Sequence, residues 1–282
     1  MIWKNYIQSI KTIKGVSVVR FARMVVSGRS RVAIILATAF LASVYIADWN
    51  RAIPRSSGFS GINEILRGFL QPDFSQDFLI VAIKATWTTI TFGTSAIFLA
   101  LVIAIPLSFV ASGTLFRSAV ARMASITLVR FLLALIRSIH ELIWAWLLAV
   151  LFGFSPITGV LALAIPYSAI LARVFSDFLN DVPDAPLRAL RSSGASNVQT
   201  LLYGRIPMVY KDMLSYGFYR FECCLRSAAV LSFIGLQGIG YQIEVSMQDL
   251  YFGQVWVLIY FLIFLIVSVD WWGSKLRRSL AN

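Results

Sequence analysis

Six ionisable side chains lie within apolar stretches of this sequence, where they could hold or pass a charged solute. They are Arg137, His140, Glu141, Arg220, Glu222 and Arg226. A charge at the centre of a lipid bilayer costs at least about 2.5 kcal/mol, so we expect these groups to face a protein interior or a water-filled path. With the histidine neutral, three arginines and two glutamates leave one net positive charge. Such a mildly cationic centre suits an anionic solute, because guanidinium groups match phosphate-like oxygens.

The spacing of these residues indicates which of them could pair. Arg137 and Glu141 are four residues apart, as are Glu222 and Arg226, so each pair could form an ion pair along one helix. Arg220 and Arg226 lie on different helix faces, so one could serve structure and the other a solute path. The alternative for each residue is a salt bridge between helices that only fixes their packing.

No metal site is predicted. The chain has a single histidine, His140, and an isolated histidine in a helix is more often a packing residue than a ligand. Its two cysteines, Cys223 and Cys224, are adjacent within an apolar run and lack the spacing of metal ligands. We therefore expect both cysteines to be small packing residues.

The composition indicates what kind of fold must position these residues. Of 282 residues, 59% are hydrophobic and 13% are charged, whereas a soluble domain would carry roughly 25% charged residues. This composition predicts a polytopic membrane protein, in which each span takes about 20 mostly apolar residues. Six candidate spans are present: Val32–Ala47, Phe78–Ser112, Ile126–Phe152, Pro156–Phe178, Met213–Leu236 and Val255–Trp272.

The charged residues are predicted to lie deep in two of these spans. A rise of 1.5 Å per residue from Ile126 places Arg137 roughly 16 Å along the third span, near the middle of the bilayer. The same rise places Arg220, Glu222 and Arg226 roughly 10 to 20 Å from the cytoplasmic end of the fifth span.

The distribution of basic residues indicates which side of the membrane each connection faces. Lys and Arg cluster in the N-terminal segment, near Arg117 and Arg122, in the long connection 179–212 and in the C-terminal tail. Since cytoplasmic loops carry an excess of positive charge, both termini and the long connection are predicted to be cytoplasmic. The first 31 residues contain seven Lys or Arg and no acid. This pattern argues against a cleavable signal peptide and favours a helix on the membrane surface.

The connection 179–212 is long for a chain of membrane spans, which suggests a folded docking surface. Pro183 and Pro186 fit the first turn of a short helix, and Gly194 can end that helix. The arginines and the apolar residues of this connection would give it an exposed surface for a partner. The alternative is an ordinary cytoplasmic loop.

A second helix is predicted in the same connection. Ser196 or Asn197 can cap its first turn. Pro207 is expected to break this helix before the fifth span begins. The two helices would form an L-shaped element on the cytoplasmic side.

Nucleotide chemistry by this chain is not predicted. The segment Gly235–Gly240 resembles a dinucleotide-binding loop only superficially, because it follows a membrane helix rather than a strand. A tight turn at the extracytoplasmic end of the fifth span is the better interpretation. The sequence contains no G-x-x-x-x-G-K-[ST] motif and no nucleophile–base constellation, so we predict that the chain is not an enzyme.

Several segments resemble segments of a known protein family, and they follow each other in the same order as in that family. The Gly–Ala segment that ends in Ile206–Pro207 resembles the EAA loop of ABC importer permeases. The segments Arg137–Ala145, Tyr219–Ala228 and Gly238–Gly240 resemble phosphonate-type permeases, the PhnE family. The resemblance covers residues 78–272.

One departure from the family concerns charge. The family's loop commonly begins with Glu, whereas Arg188 stands at that place here. The charge pattern of the docking surface is therefore not carried over from the family.

The resemblance implies an all-α type I ABC importer permease fold with six transmembrane helices and a cytoplasmic coupling-helix loop. It implies transport of phosphonate, phosphite or a related phosphorus oxyanion across the bacterial inner membrane. A permease for another small solute, such as an amino acid, is the alternative, and a secondary transporter is a third reading that the docking loop disfavours.

The resemblance also implies partners and residue roles. Two cytosolic ATPases would hold ATP and Mg, while this chain would bind no cofactor and no nucleic acid. A periplasmic or lipid-anchored binding protein and a second permease chain are expected, in a homodimer or a heterodimer. The six charged residues would line a solute path or gate. The residues expected to couple the permease to the ATPase are Arg188, Ala189, Leu190, Gly194, Ala195, Ile206 and Pro207.

Four parts follow along the chain. Residues 1–31 form a basic cytoplasmic segment, and residues 32–77 hold the first transmembrane helix and an extracytoplasmic connection. Residues 78–272 form the permease domain with its coupling loop, 183–207. Residues 273–282 form a basic cytoplasmic tail.

Overall fold

The computed structural model describes residues 28–46, 56–116 and 118–281. The predicted surface helix in the N-terminal segment and the basic residue Arg117 lie outside these ranges. All regular elements in the described part of the chain are helical, as the prediction of an all-α membrane protein requires.

The chain divides into two compact units, residues 1–61 and residues 62–282. In the first unit, helix α1 spans Gly28–Ile46 and matches the first candidate span. Its side chains are exposed from Arg31 to Ile46. At 19 residues, α1 is about 28 Å long, close to the thickness of the hydrocarbon core of a bilayer.

The second unit is a bundle of helices that begins within α2. Its helices are α2 (Ser56–Leu70), α3 (Gln76–Ser112), α4 (Ala119–Ser138), α5 (Glu141–Phe152), α6 (Pro156–Asn180), α7 (Asp184–Ser192), α8 (Asn197–Gln199), α9 (Ile206–Leu231), α10 (Ile239–Gln248) and α11 (Phe252–Ala281). A π-helical turn, Thr200–Arg205, joins α8 to α9 without a break.

Five helical stretches in the described residues are long and apolar enough to cross a membrane. They are Gln76–Ser112, Ala119–Ser138, Pro156–Asn180, Asn197–Gln248 and Phe252–Ser279. Arg31–Ile46 and Glu141–Phe152 are shorter apolar helices. The prediction of membrane spans is therefore confirmed, while the count of six stays a prediction.

Helices α2 and α10 lie where the sequence indicated only connections. The second half of α2 is held against α11 by two hydrogen bonds to its backbone. Trp256 Nε1 donates to the Ile65 carbonyl at 2.8 Å, and the Tyr260 hydroxyl donates to the Phe69 carbonyl at 3.0 Å. Such long-range contacts explain why the local pattern did not single out this helix.

Small side chains bring α3 and α6 together at the centre of the second unit. Ala96, Ala100 and Ala104 repeat every four residues on α3 and are completely buried. Ala162 and Ala169 are equally buried on α6. Because small side chains let helix axes approach closely, α6 becomes a fixed wall against which α4, α5 and α9 pack.

A tight turn follows α9, as the glycine segment predicted. Gly235 adopts φ +96°, in the left-handed region that favours glycine, and ends the 3₁₀ turn Ser232–Ile234. The Gly240 amide donates to Ser232 Oγ at 3.0 Å, which folds α10 back onto the end of α9.

Candidate solute path and docking surface

The third candidate span is not one helix. It is divided at Ile139 and His140 into α4 and α5. His140 caps α5 with an extended backbone, and its Nδ1 accepts a hydrogen bond from the Leu142 amide at 3.3 Å. The expected i, i+4 ion pair between Arg137 and Glu141 is therefore absent from the structure, because the two residues no longer lie on one helix.

A hydrogen-bonded cluster surrounds Glu141 at the start of α5. Ser227 Oγ on α9 donates to Glu141 Oε1 at 2.7 Å. The Tyr167 hydroxyl on α6 lies 3.1 Å from Ser227 Oγ. His140 Nε2 approaches the other carboxylate oxygen of Glu141 at 3.8 Å. The cluster ties three helices together at the break, since α5, α6 and α9 each supply one member.

Sequence reasoning missed Tyr167 and Ser227 as members of this cluster. Ser227 directly follows Arg226 within a segment that resembles the family, which could have signalled it. Tyr167 stands alone in an apolar run, and its hydroxyl meets Ser227 across 60 positions of sequence. A lone tyrosine at such a position carries no local signal.

Arg137 is exposed at the end of α4, and His140 is exposed beside it. In the described part of the chain, no carboxylate oxygen lies within 4.0 Å of the Arg137 guanidinium. At the membrane depth that the sequence predicts for Arg137, an unpaired guanidinium requires water or another protein chain around it. The helix break therefore presents the guanidinium of Arg137 and the imidazole of His140 to a space that this part of the chain does not fill.

Glu222 is paired differently from the prediction. Its side chain is 8% exposed and forms an ion pair with Arg277 on α11, not with Arg226. Glu222 rests against Gly273, where any side chain would collide with its carboxylate. Arg277 belongs to the predicted C-terminal tail, so the pair places Glu222 level with the start of that tail. Its helix begins at Ile206, seven residues before the predicted span.

Arg226 lies one turn further along α9, and its partner on α11 lies about two turns before Arg277. Arg226 Nη2 lies 3.8 Å from Asp270 Oδ2, and the two side chains are 55% and 48% exposed. The expected ion pair of Arg226 with Glu222 is wrong, since α11 offers each residue a partner of opposite charge. α9 and α11 are thus linked by one buried ion pair and one open ion pair.

Arg220 has aromatic partners. Its Nε donates to the Tyr216 hydroxyl at 2.7 Å. Its guanidinium carbon lies 5.1 Å from the ring centre of Tyr216 and 5.5 Å from that of Tyr219, which are cation–π distances. No carboxylate among the described residues pairs with Arg220, so its positive charge is not cancelled.

A second ionic cluster escaped the sequence analysis. Asp177 on α6 accepts from Arg173 at 2.8 Å and lies 3.2 Å from Arg130 on α4. Arg130 also donates through Nε to the Ala111 carbonyl at 3.2 Å, at the end of α3. The i, i+4 spacing of Arg173 and Asp177 could have revealed one of the two pairs. The cluster fastens three helices and leaves one net positive charge.

The connection 179–212 folds as the predicted helix–turn–helix. Pro183 caps α7, and Gly194 follows the helix with φ +87°. Ser196 caps the next helix in a capping box with Gln199, where each side chain bonds the other residue's backbone. Both the glycine turn and the serine cap are therefore confirmed.

One feature of this connection differs from the prediction. Pro207 does not break the helix, since the chain passes from the π-helical turn directly into α9. A π turn removes the i, i−4 pattern in which proline clashes. Arg205, which is 8% exposed, donates to the Leu179 carbonyl and so ties the end of α6 to the start of α9.

Helix α7 is seated by two leucines and a glycine. Leu187 is 1% exposed, and a side chain on Gly204 would come within 2.9 Å of Leu190 and 3.0 Å of Leu187. Gly204 thus allows α7 to rest directly on the π turn. Arg188 and Ala189 point outward and are exposed.

Among the residues that the structure describes, no three His, Cys, Asp or Glu side chains converge as metal ligands. Cys224 is buried, and its thiol lies 3.6 Å from the Gly93 carbonyl.

No known protein-family profile matches this chain. The chain is 26% identical over 248 residues to the phosphite transport system permease protein PtxC of Stutzerimonas stutzeri, across 88% of each chain. It is 27% identical to the phosphate-import permease protein PhnE of Mycolicibacterium smegmatis, across 65% of this chain and 34% of the relative. It is 30% identical to the putative cryptic phosphonate transport system permease protein PhnE2 of Escherichia coli K12, across 42% of this chain and 98% of the relative.

Solved structures share the fold. The MetNI methionine ABC transporter matches with a TM-score of 0.64 and 17% identity, across 74% of this chain and 100% of that one. An amino acid ABC transporter matches with a TM-score of 0.60 and 18% identity, across 72% and 95%. At these identities the likeness shows the fold alone. The curated relatives, one of them 30% identical with 98% of its length covered, show that this chain belongs to the phosphonate- and phosphite-type family of ABC importer permeases.

Proposed function

We propose that this chain is the membrane-spanning permease of an ATP-driven importer that carries a phosphorus oxyanion, such as phosphite or a phosphonate, into the cytoplasm. The observation that carries the proposal is the exposed, unpaired Arg137 at the break between α4 and α5, in a chain of this family. A multiply charged oxyanion needs donors in the membrane, and a guanidinium supplies a planar pair of them.

The residues at the helix break have distinct roles in this proposal. Arg137 and His140 offer N–H donors to the passing anion, and the first backbone amides of α5 add partial positive charge. Glu141 is held back from the anion because Ser227 and Tyr167 fix its carboxylate on the α6 and α9 side. The net charge that faces the path thus stays positive, and it is small enough for the anion to be released.

Glu222 and Arg226 serve the link between α9 and α11 in this proposal, since each has a partner there. Arg220 keeps an uncancelled charge near the middle of α9 and can meet the anion along the path. The structure therefore supports Arg137, His140 and Arg220 as path residues more strongly than Glu222.

ATP hydrolysis would drive the permease through the connection 179–212, which we call the docking connection. α7 projects toward a cytosolic ATPase that holds ATP and Mg, and the π turn passes its movement into α9 without a flexible joint. Closure of two ATPases would draw together the docking connections of two permease chains in a homodimer and so alternate access to the path. A binding protein would deliver the anion from outside the bacterial inner membrane, with both termini of the permease in the cytoplasm.

The test is uptake by proteoliposomes that contain the permease, its ATPase and its binding protein. The wild type should take up phosphite or methylphosphonate only with ATP. Arg137→Ala should lower uptake at least about tenfold, because the anion loses a charged donor, with unchanged assembly. Arg278→Ala, an exposed control near the end of α11, should keep full uptake.

Two results would contradict the proposal. ATP-dependent uptake of an amino acid, with no uptake of any phosphorus oxyanion, would assign the permease to another solute. Full uptake by Arg137→Ala would remove the helix break from the path.

A further inference from the structure

The outward face of α7 has an unusual make-up for a surface helix. Its inward side is fixed by Leu187 and Leu190 on the π turn. Its exposed positions carry mainly small side chains and two arginines: Asp184, Ala185, Pro186, Arg188, Ala189, Arg191 and Ser192. We call these seven residues the docking face. Small side chains make the face a narrow ridge that a partner's backbone can approach closely.

The two arginines of the docking face are available for a partner. Arg188 and Arg191 are three residues apart, so their guanidinium groups lie on the same side of α7. Neither has an ion-pair partner within the part of the chain that the structure describes. The nearby guanidinium of Arg205 repels that of Arg191, which adds to the positive potential. The only acid of the docking face, Asp184, sits in the first turn of α7, where the helix dipole favours it.

The composition of the docking face decides what kind of partner fits it. A helix that lies on a lipid surface inserts large apolar side chains such as Leu, Phe or Trp, and the docking face has none. A nucleic acid needs a wider field of Lys and Arg than two side chains provide. A narrow protein groove with carboxylates at its rim matches both the small ridge and the two free arginines.

We propose that the docking face seats in a groove of the cytosolic ATPase lined by Asp or Glu side chains, which pair with Arg188 and Arg191. The inference rests on the proposed role of the connection in ATPase docking and specifies the chemistry of the partner surface. It makes assembly of permease and ATPase dependent on charge and on salt.

The experiment measures binding of the importer's ATPase to the full-length permease in nanodiscs, at about 50 mM and about 500 mM NaCl. Wild-type affinity should fall at high salt. Arg188→Glu with Arg191→Glu should weaken binding about a hundredfold at low salt, because like charges then face each other. Arg188→Lys with Arg191→Lys should retain most of the affinity. Lys211→Glu, an exposed charge reversal outside the docking face, should bind as the wild type does.

The outcomes separate this inference from the proposed function. If the wild type fails to bind the ATPase, the docking role itself is wrong. If it binds and the double reversal binds equally well or more tightly, the groove is not acidic. If the effect of the double reversal disappears in nanodiscs without anionic lipid, the arginines contact headgroups, and the proposal is overturned.

Discussion

Removal of Arg277 tests whether α9 and α11 are held by a buried ion pair. The Glu222 side chain is 8% exposed and that of Arg277 is 25% exposed. Arg277→Ala leaves a carboxylate shielded from water with no cation beside it. Breaking a buried pair from one side costs about 3 to 5 kcal/mol, so we expect the free energy of unfolding to fall by about that amount.

The matched control is the neighbouring ion pair. Arg226 and Asp270 join the same two helices, but their side chains are 55% and 48% exposed and the charged atoms are 3.8 Å apart. Asp270→Ala should therefore cost less than about 1 kcal/mol, as exposed pairs do. Glu222→Leu combined with Arg277→Met should recover most of the lost stability, because apolar side chains of similar size remove both charges.

The measurement is an SDS titration of the purified permease in mixed micelles, with the helical circular dichroism signal as readout. A large loss for Arg277→Ala, a small loss for Asp270→Ala and recovery in the double variant would support the reasoning. Equal losses for Arg277→Ala and Asp270→Ala would refute it, since burial would then not set the strength of the pair.

Two further predictions concern glycines. Gly273→Ala should destabilise the protein by about 1 to 3 kcal/mol, because a Cβ there collides with the Glu222 carboxylate. The control is Gly217→Ala, whose new Cβ meets only Leu101 at 3.9 Å. Equal unfolding midpoints for the two variants would contradict the prediction. Gly194→Val should impair ATP-coupled uptake, because φ +87° is strained for a branched side chain. Gly194→Asn should keep most of the uptake, because asparagine tolerates this conformation. Full uptake by the valine variant would show that this turn is not needed for docking.

Local chemistry in the sequence determined much of this protein. The apolar runs predicted the membrane-length helices. Pro183 and Gly194 predicted where α7 begins and ends, and Ser196 predicted where α8 begins. These signals act between residues a few positions apart, through caps, φ preferences and solvation of nearby side chains. These signals can therefore be identified from the sequence without knowledge of the fold. The family resemblance also came from short segments with their residues in order.

Only the tertiary structure decided the pairing of the charges. The i, i+4 rule suggested Arg137 with Glu141 and Glu222 with Arg226, yet a helix break separates the first pair and α11 supplies the partner of Glu222. That partner, Arg277, is 55 positions away in sequence. A buried charge takes the partner that helix packing brings within reach, and a spacing rule along one helix contains no information about its neighbours.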